Sequence, residues 1–221
     1  MPEPNFILET ARLRFREFVP EDVDALALIL ADAETMRYYP TLFDRGGVEE
    51  WIVRNRRRYA ANGHGLWAMI LKSTGELIGD CGVTVQTVDG VDELEIGYHL
   101  RRDCWGRGYA TEAAQACRDW AFVNRNADYV VSLIRPENLA SCRVAERNGM
   151  TLWKEIIWRE LVHPFTEWVG CKSLLICENG TQMRLAGLSV VRLRDGLPLP
   201  RCDGHDRRVA HRRQRSQEQV V

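Results

Sequence analysis

The sequence predicts an α/β protein of the mixed-sheet (α+β) kind, and three observations predict it. Apolar residues recur with a period of two in some segments and with helical spacing in others. These segments run strand, two helices, three strands, helix, strand, helix, strand, so strands and helices interleave only in the second half. Leu94–Leu100, the helix after it and Tyr129–Ile134 together make a βαβ crossover, which places a parallel pair in the sheet. With 221 residues, 45 % hydrophobic and 28 % charged, the chain is long enough for one core of ordinary size.

Each element has its own signal. Leu8 to Val19 alternates as a first strand, with Leu13, Phe15 and Glu17 on one face. Pro20 starts a helix at its favoured first position, Glu21 and Asp22 suit the positive end of the helix dipole, and Val23, Leu26, Ile29 and Leu30 form the apolar stripe. A second helix is expected from Val48 to about Ala61, with Trp51, Ile52 and Tyr59 inward and Arg54, Arg56, Arg57 and Arg58 on the wet side. Asn62-Gly63 can close it in the left-handed conformation.

Leu66–Leu71 and Leu77-Ile78-Gly79 read as a hairpin around Lys72-Ser73-Thr74-Gly75-Glu76, and Glu93–Leu100 as a further strand. Tyr109 to about Asn124 carries Ala110, Ala113, Cys117, Trp120 and Ala121 at helical spacing. Asp128–Arg135 is a strand, Asn138–Asn148 a short helix closed by Gly149, and Thr151–Val162 another strand. The tryptophans at 51, 67, 120, 153 and 158 fall mostly on apolar stripes and are read as core. Beyond Gly170 the patterning fades. The expected organisation is one domain over residues 6–170 and an atypical tail, 171–221, that a disordered state would suit.

No apolar run approaches the roughly 20 residues that cross a bilayer. Met1-Pro2-Glu3-Pro4 has neither a basic nor an apolar leader region, so a cytoplasmic location is expected. Seven scattered cysteines (81, 104, 117, 142, 171, 177, 202) include no CxxC pair and no metal spacing. They read as reduced thiols, with Cys117 and Cys142 as small core residues and no metal site. The net charge of −1 hides an asymmetry: residues 171–221 carry 10 Lys/Arg and 5 Asp/Glu, leaving 20 and 26 in residues 1–170. With no aromatic interleaving, the basic tail reads as solvated chain and not as a nucleic-acid surface.

The chemistry concentrates where the strand Leu94–Leu100 passes through Arg101-Arg102-Asp103-Cys104 into Trp105-Gly106-Arg107-Gly108-Tyr109-Ala110-Thr111-Glu112 and opens a helix. The first N–H groups of a helix lack partners inside it, and its dipole adds about half a positive charge there, so a phosphate or pyrophosphate fits. Gly106 and Gly108 remove the Cβ atoms that would block phosphate oxygens, and Arg101, Arg102 and Arg107 can neutralise remaining charge. The spacing matches neither a P-loop nor the three-glycine dinucleotide fingerprint.

Together with its neighbours this stretch resembles the acetyl-CoA motif of the GNAT acetyltransferase superfamily, written [QR]-x-x-G-x-[GA]. Gly108 and Ala110 fit, while Trp105 stands where Gln or Arg is usual. Glu-Ile-Gly-Tyr followed by Trp-Gly-Arg-Gly-Tyr-Ala-Thr-Glu-Ala is similar to the branch of ribosomal-protein N-terminal acetyltransferases (RimJ/RimL-like), in which Trp is common there. Further matches are Leu8-Glu9-Thr10-Ala11-Arg12-Leu13, Pro136-Glu137-Asn138-Leu139-Ala140-Ser141 and Glu146-Arg147-Asn148-Gly149-Met150, together covering residues 6–165.

The resemblance implies an acyl-CoA acyltransferase fold in which Leu94–Leu100 and Tyr129–Ile134 splay apart at their C-terminal ends. Acetyl-CoA is the implied co-substrate. Its pantetheine arm would pair with backbone near His99 and Leu100, and its pyrophosphate would take N–H groups from Arg107, Gly108, Tyr109, Ala110 and Thr111. Trp105, on the loop, would pack beside it. Asn138 either reaches the cofactor arm, caps its helix, or does both.

Amine acetylation needs a neutral amine, hence a proton acceptor. Strand alternation sets Glu95, Gly97 and His99 on one face of Leu94–Leu100. Glu95 matches the glutamate this branch carries on the strand; the other reading is a structural partner of an arginine or of backbone. Glu93 is the fallback base, and His99 is placed near the cofactor or solvent. For the departing thiolate, RimL-like enzymes carry a serine that Ser141 matches, against a plain role in the first turn of its helix. Glu112 reads as structural, facing away from phosphate or paired with an arginine. Arg54–Arg58 reads as a solvated face, with an acidic acceptor peptide as the alternative.

The expected partners are acetyl-CoA and an amine acceptor, either a peptide N-terminus or a small molecule, for a monomer or homodimer. The final strand falls on Phe165–Val169 or else on Ser173–Cys177. A non-catalytic acyl-CoA-binding or interaction protein with a degraded acceptor site is the alternative from another class.

Overall fold

The computed structural model describes residues 5–163 and 166–178. Its strands are β1 (Leu8–Glu9), β2 (Leu13–Arg16), β3 (Leu66–Leu71), β4 (Leu77–Val88), β5 (Val91–Leu100), β6 (Tyr129–Ile134), β7 (Thr151–His163) and β8 (Thr166–Glu178). The helices are α1 (Val23–Leu30), α2 (Arg45–Asn62), α3 (Tyr109–Asn124) and α4 (Leu139–Arg147). They form an eight-stranded mixed sheet in the order β1-β2-β3-β4-β5-β6-β8-β7. β5 and β6 pair in parallel and their neighbours antiparallel, so the α/β class and the βαβ crossover are as the sequence reads.

Three elements differ from expectation, each for a local reason. The single strand over Leu8–Val19 is instead the hairpin β1–β2, because Thr10 turns the chain. Its hydroxyl accepts from the Leu13 N–H at 3.0 Å and its own N–H donates to the Leu13 carbonyl at 2.9 Å. β4 continues nine residues past Gly79 to Val88, then turns at Asp89-Gly90, whose φ angles of 50° and 83° make the two-residue turn that hairpins favour. Both candidates for the final strand fall on β8, apart from Phe165, which lies outside the described residues; β8 pairs with β6 from Tyr129↔Glu178 to Ile134↔Ser173 and carries the sheet past residue 170 to Glu178. The Trp158 side chain and the tail from residue 179 lie outside the described residues.

The β4–β5 turn sets the register that builds the site: Asp80 lies opposite His99, Gly82 opposite Gly97 and Thr84 opposite Glu95. Successive β4 residues face opposite sides of the sheet. Asp80 accepts from Trp51 of α2, while Cys81 meets Cys117 of α3. α2 therefore covers one face and α3 the other. Trp51 and Trp67 are buried as expected, and so are Cys117 and Cys142. Trp153 is 46 % exposed, contrary to its reading as core; it lies by Tyr129 at the sheet edge with Lys154 over its ring.

Backbone approaches closely where β4 passes the start of β3. A Cβ built on Gly82 would collide with the Gly65 carbonyl and sit 2.9 Å from the Leu66 Cα, neither of which is a movable side-chain end. Gly82→Ala is expected to destabilise the fold by about 1–3 kcal/mol, read as a lower urea midpoint with unchanged slope. A midpoint equal to the wild type's would contradict this packing.

Candidate active site

The parallel pair β5–β6 is joined at one register position, Glu95↔Val131, and parts beyond it. In place of a further ladder bond, the buried Ser132 hydroxyl donates to the Ile96 carbonyl at 2.8 Å, closing the base of the opening. Because peptide groups alternate along a strand, those of Ile96, Tyr98 and Leu100 face this gap. The Leu100 carbonyl accepts from the Trp105 indole N–H at 2.8 Å, and the His99 N–H points the other way, to Asp80 at 3.1 Å. The Tyr98 peptide, between those of Ile96 and Leu100, also faces the gap.

At the open end of the gap, Gly106 and Gly108 have φ of 72° and 80°, and Gly108 is the N-cap of α3. A Cβ at Gly106 would meet nothing within 4 Å, so the left-handed backbone, more than crowding, requires glycine here. The first helical bond is Glu112 N–H to the Gly108 carbonyl at 3.0 Å; the N–H groups of Tyr109, Ala110 and Thr111 precede it. The positive end of the 16-residue helix α3 therefore opens beside the splayed strands.

A staple from the β1–β2 turn holds this loop. Glu112 accepts from the Thr10 hydroxyl at 2.5 Å, the Arg12 N–H at 2.9 Å and Arg12 Nε at 2.6 Å. Arg12 also donates to the Arg107 carbonyl at 2.9 Å and covers the Tyr109 ring at 4.4 Å. Burial alone would raise the Glu112 carboxyl, but these donors hold it below its ordinary 4.5. A depressed carboxylate contributes stability above its unfolded pKa and loses it as pH falls through the folded one. Glu112 is structural and arginine-paired, as its helix position implied. Arg12→Ala is expected to raise the KM for acetyl-CoA about tenfold with little change in kcat, since it loosens the loop without touching the reacting end. An unchanged KM would contradict that role.

A cleft of about 1630 Å³ runs from this loop along the gap and out over the α2 face. Its lining includes Glu95, His99, Leu100, Trp105, Gly106, Arg107, Gly108, Tyr109, Ala110, Thr111, Asn138 and Ser141. Arg102 is not among them. It lies in a separate shallow depression with Leu28, Asp32, Arg101 and Asp103, because the turn at Arg102–Cys104 carries it outward. Arg101 is likewise occupied, paired with Asp103 at 2.7 Å and Glu76 at 3.4 Å. Of the three loop arginines only Arg107 reaches the cleft, joined there by Arg12, Arg135, Arg143 and Arg147.

Asn138 caps α4, its side chain accepting from the Ser141 N–H at 3.1 Å. The Tyr98 hydroxyl, whose pKa burial pushes up, donates to the Ser141 carbonyl at 2.9 Å, so β5 fixes the α4 start at the gap.

On the α2 face, Glu95 accepts from the Thr84 hydroxyl at 3.1 Å and the Gln86 amide at 2.9 Å, both supplied by β4. Arg58 of α2 stands near it; burial, then the charge of Arg54, lowers the Arg58 pKa. Glu93, the fallback, is buried beside Tyr129 and does not line the cleft. His99 is neither solvent-facing nor loose. It is 8 % exposed, with Nδ1 2.7 Å from Asp80 and Nε2 2.6 Å from the Tyr39 hydroxyl. Trp51, expected in the core, forms part of this wall, its ring edge-on to His99.

Arg12, Tyr39, Asp80 and Ser132 are thus site-building residues that the sequence reading did not single out. Arg12 sat inside a run already matched to the family. Asp80, a lone carboxylate in Leu77-Ile78-Gly79-Asp80-Cys81-Gly82-Val83, carried a signal, since a charge in a buried strand needs partners. Tyr39 lies in the 31–44 connection and had none.

No helix among the described residues is long and apolar enough to cross a membrane. Residues 12–151 match the family described as Acetyltransferase (GNAT) domain. The chain is 41 % identical over 150 residues to the protein YkkB of Bacillus subtilis (strain 168), covering 67 % of this chain and 87 % of YkkB. Its fold is similar to the acetyltransferase from Agrobacterium tumefaciens str. C58, with a TM-score of 0.62 and 30 % identity over 78 % of this chain and 94 % of that one. The ribosomal L7/L12 alpha-N-protein acetyltransferase RimL, in complex with coenzyme A, gives a TM-score of 0.61 at 16 % identity, covering 79 % and 98 %, a likeness of fold alone. Since the family match takes in the splayed strands and the glycine-opened helix alike, the chain belongs to the GNAT acetyltransferases and uses acetyl-CoA as its co-substrate.

Proposed function

We propose that this enzyme transfers the acetyl group of acetyl-CoA to a primary amine, a protein N-terminal amine or a small amine, by direct attack in a ternary complex. The observation that carries the reading is the single β5–β6 pairing beside a helix opened by two left-handed glycines. A gap in a sheet takes an extended amide-bearing arm, and a bare helix start takes a diphosphate. The N–H groups from Arg107 to Thr111 hold the diphosphate, and the Tyr98 peptide pairs with the arm. Trp105, 41 % exposed, flanks it. Asn138 serves as cap and as a cleft contact at once.

Glu95 accepts the proton of the incoming ammonium. Its carboxylate is oriented by the Thr84 hydroxyl and the Gln86 amide, neutral donors that leave it free to take a proton. Ser141, held at the gap by Asn138 and Tyr98, donates to the departing sulfur. The RimJ/RimL-like reading of the branch rests on Trp105 and the run after it, and the fold likeness to RimL agrees with it. The protein works in the cytoplasm as a monomer or homodimer.

Thiol release from acetyl-CoA with a panel of amines tests this. The panel comprises tetrapeptides with free N-terminal Ser, Ala or Met, and the small amines ethanolamine and tyramine. Turnover with at least one is expected; binding of acetyl-CoA with no turnover of any would return the non-catalytic reading.

A further inference from the structure

The α2 face of the cleft contains a hydrogen-bonded chain that joins β4, β5 and the 31–44 connection. Asp80 is 0 % exposed, and its carboxylate meets three donors: Trp51 Nε1 at 3.0 Å, the His99 N–H at 3.1 Å and His99 Nδ1 at 2.7 Å. Beside a carboxylate, which only accepts, the neutral imidazole of His99 is oriented with its proton on Nδ1 and its lone pair on Nε2. The group 2.6 Å from Nε2 is the Tyr39 hydroxyl, which in this tautomer donates to it. The chain has one direction, from Tyr39 to His99 to Asp80, and its outer end lines the cleft.

Glu95, Gly97 and His99 share this face of β5, and Gly97 between them brings no side chain. A Cβ there would sit 3.3 Å from Leu66 Cδ2 and project into the space the two flanking groups enclose. An apolar wall of the same volume would be easier to bury than a carboxylate, an imidazole and a phenol. Such mutually oriented polar groups, buried together at the wall of a cleft, gather where protons move.

We infer that Tyr39, oriented by His99 and Asp80, is a second proton acceptor for the amine, distinct from Glu95. This rests on the transferase reading above. An ammonium carries three protons and the product amide one, so two must leave. Glu95 takes the first and passes it to water, which frees the nitrogen lone pair to attack. As the C–N bond forms and the C–S bond breaks, the second proton moves from nitrogen to the Tyr39 oxygen, and the Tyr39 proton moves to His99 Nε2. Asp80 stabilises the resulting imidazolium. His99 then returns its proton through Tyr39 to the coenzyme thiolate, so amine and acetyl-CoA become amide and coenzyme A with no proton unaccounted for. Tyr39 is the catalytic residue; His99 and Asp80 are positioning residues. The titratable groups packed on the His99 ring are Asp80 of β4 and Tyr39 of the 31–44 connection, with Trp51 of α2 edge-on.

The test uses the full chain with Tyr39→Phe, His99→Asn and the double variant, each checked by thermal melting and by acetyl-CoA calorimetry. Asparagine at 99 can still donate to Asp80 but does not reach Tyr39. Each single variant is expected to lower kcat about 10²-fold, a usual worth for general acid–base help, with the calorimetric affinity for acetyl-CoA within twofold. The double variant should be no slower than the worse single one, because the two act as a unit. The loss should persist from pH 7 to 9.5, where a second-proton defect is not relieved by free amine. Either single variant within threefold of wild-type kcat, losses that multiply in the double, or a fall in coenzyme affinity equal to the fall in rate would each overturn the relay while leaving the transferase reading standing. No turnover of any amine by the wild type would remove both.

Discussion

Gly108→Asp is expected to weaken acetyl-CoA binding by at least about 10²-fold, read by calorimetry, because three effects coincide. Position 108 has φ +80°, a conformation that costs an L-residue about 1–2 kcal/mol. A Cβ there stands 3.4 Å from Arg12 Nη2, so the staple on Glu112 must shift. The added carboxylate then lies at the helix start, where the dipole would otherwise attract phosphate, and competes for the same N–H groups. Gly63→Asp is the control: φ is +74° with nothing within 4 Å of its Cβ, but it ends α2. It should bear similar backbone strain and leave coenzyme affinity within twofold. Equal losses in both variants would assign the effect to general destabilisation and not to the diphosphate site.

Glu95→Gln is expected to lower kcat about 10²-fold at pH 7 while leaving acetyl-CoA affinity unchanged, since glutamine matches glutamate in shape and still bonds Thr84 and Gln86. The loss should shrink as pH approaches the pKa of the acceptor amine, because more of the amine is then already neutral. Full activity of Glu95→Gln over pH 6–9 would exclude Glu95 as base. The pH response also separates Glu95 from Tyr39, whose defect should persist.

The fold could be read where a residue's own chemistry decides the local structure. Pro20 before Glu21-Asp22, Gly63 after α2 and Gly149 after α4 each announce a helix boundary, and the chain obeys all three. Asp89-Gly90 carries a hairpin signal of the same kind, but it lies beyond Gly79, where the strand was expected to end. Reading β4 as ending at Gly79 obscured the register that sets Thr84 against Glu95 and Asp80 against His99. The β1–β2 turn was harder, because its cause is one threonine hydroxyl bonding three residues ahead.

In the site, sequence patterning picked out the glycine turn and the Glu95 face, both of which line the cleft, while of the three arginines it named only Arg107 lines it. Helix-start electrostatics says that cations help an anion; it does not say which of Arg101, Arg102 and Arg107 the turn carries toward it. The chain from Asp80 to Tyr39 was invisible for another reason. It joins β4, β5 and a connection between helices, and no periodicity links residues 39, 80 and 99.

The account depends on a bare helix start that grips a diphosphate. Calorimetric titration of the wild-type chain with acetyl-CoA and with S-acetyl-pantetheine, which keeps the arm and the acetyl group but lacks the diphosphate, tests it most directly. Loss of at least about 10²-fold in affinity for the truncated ligand is the expected result. Equal affinity for the two would show that the glycine-opened end of α3 holds nothing and would contradict the account.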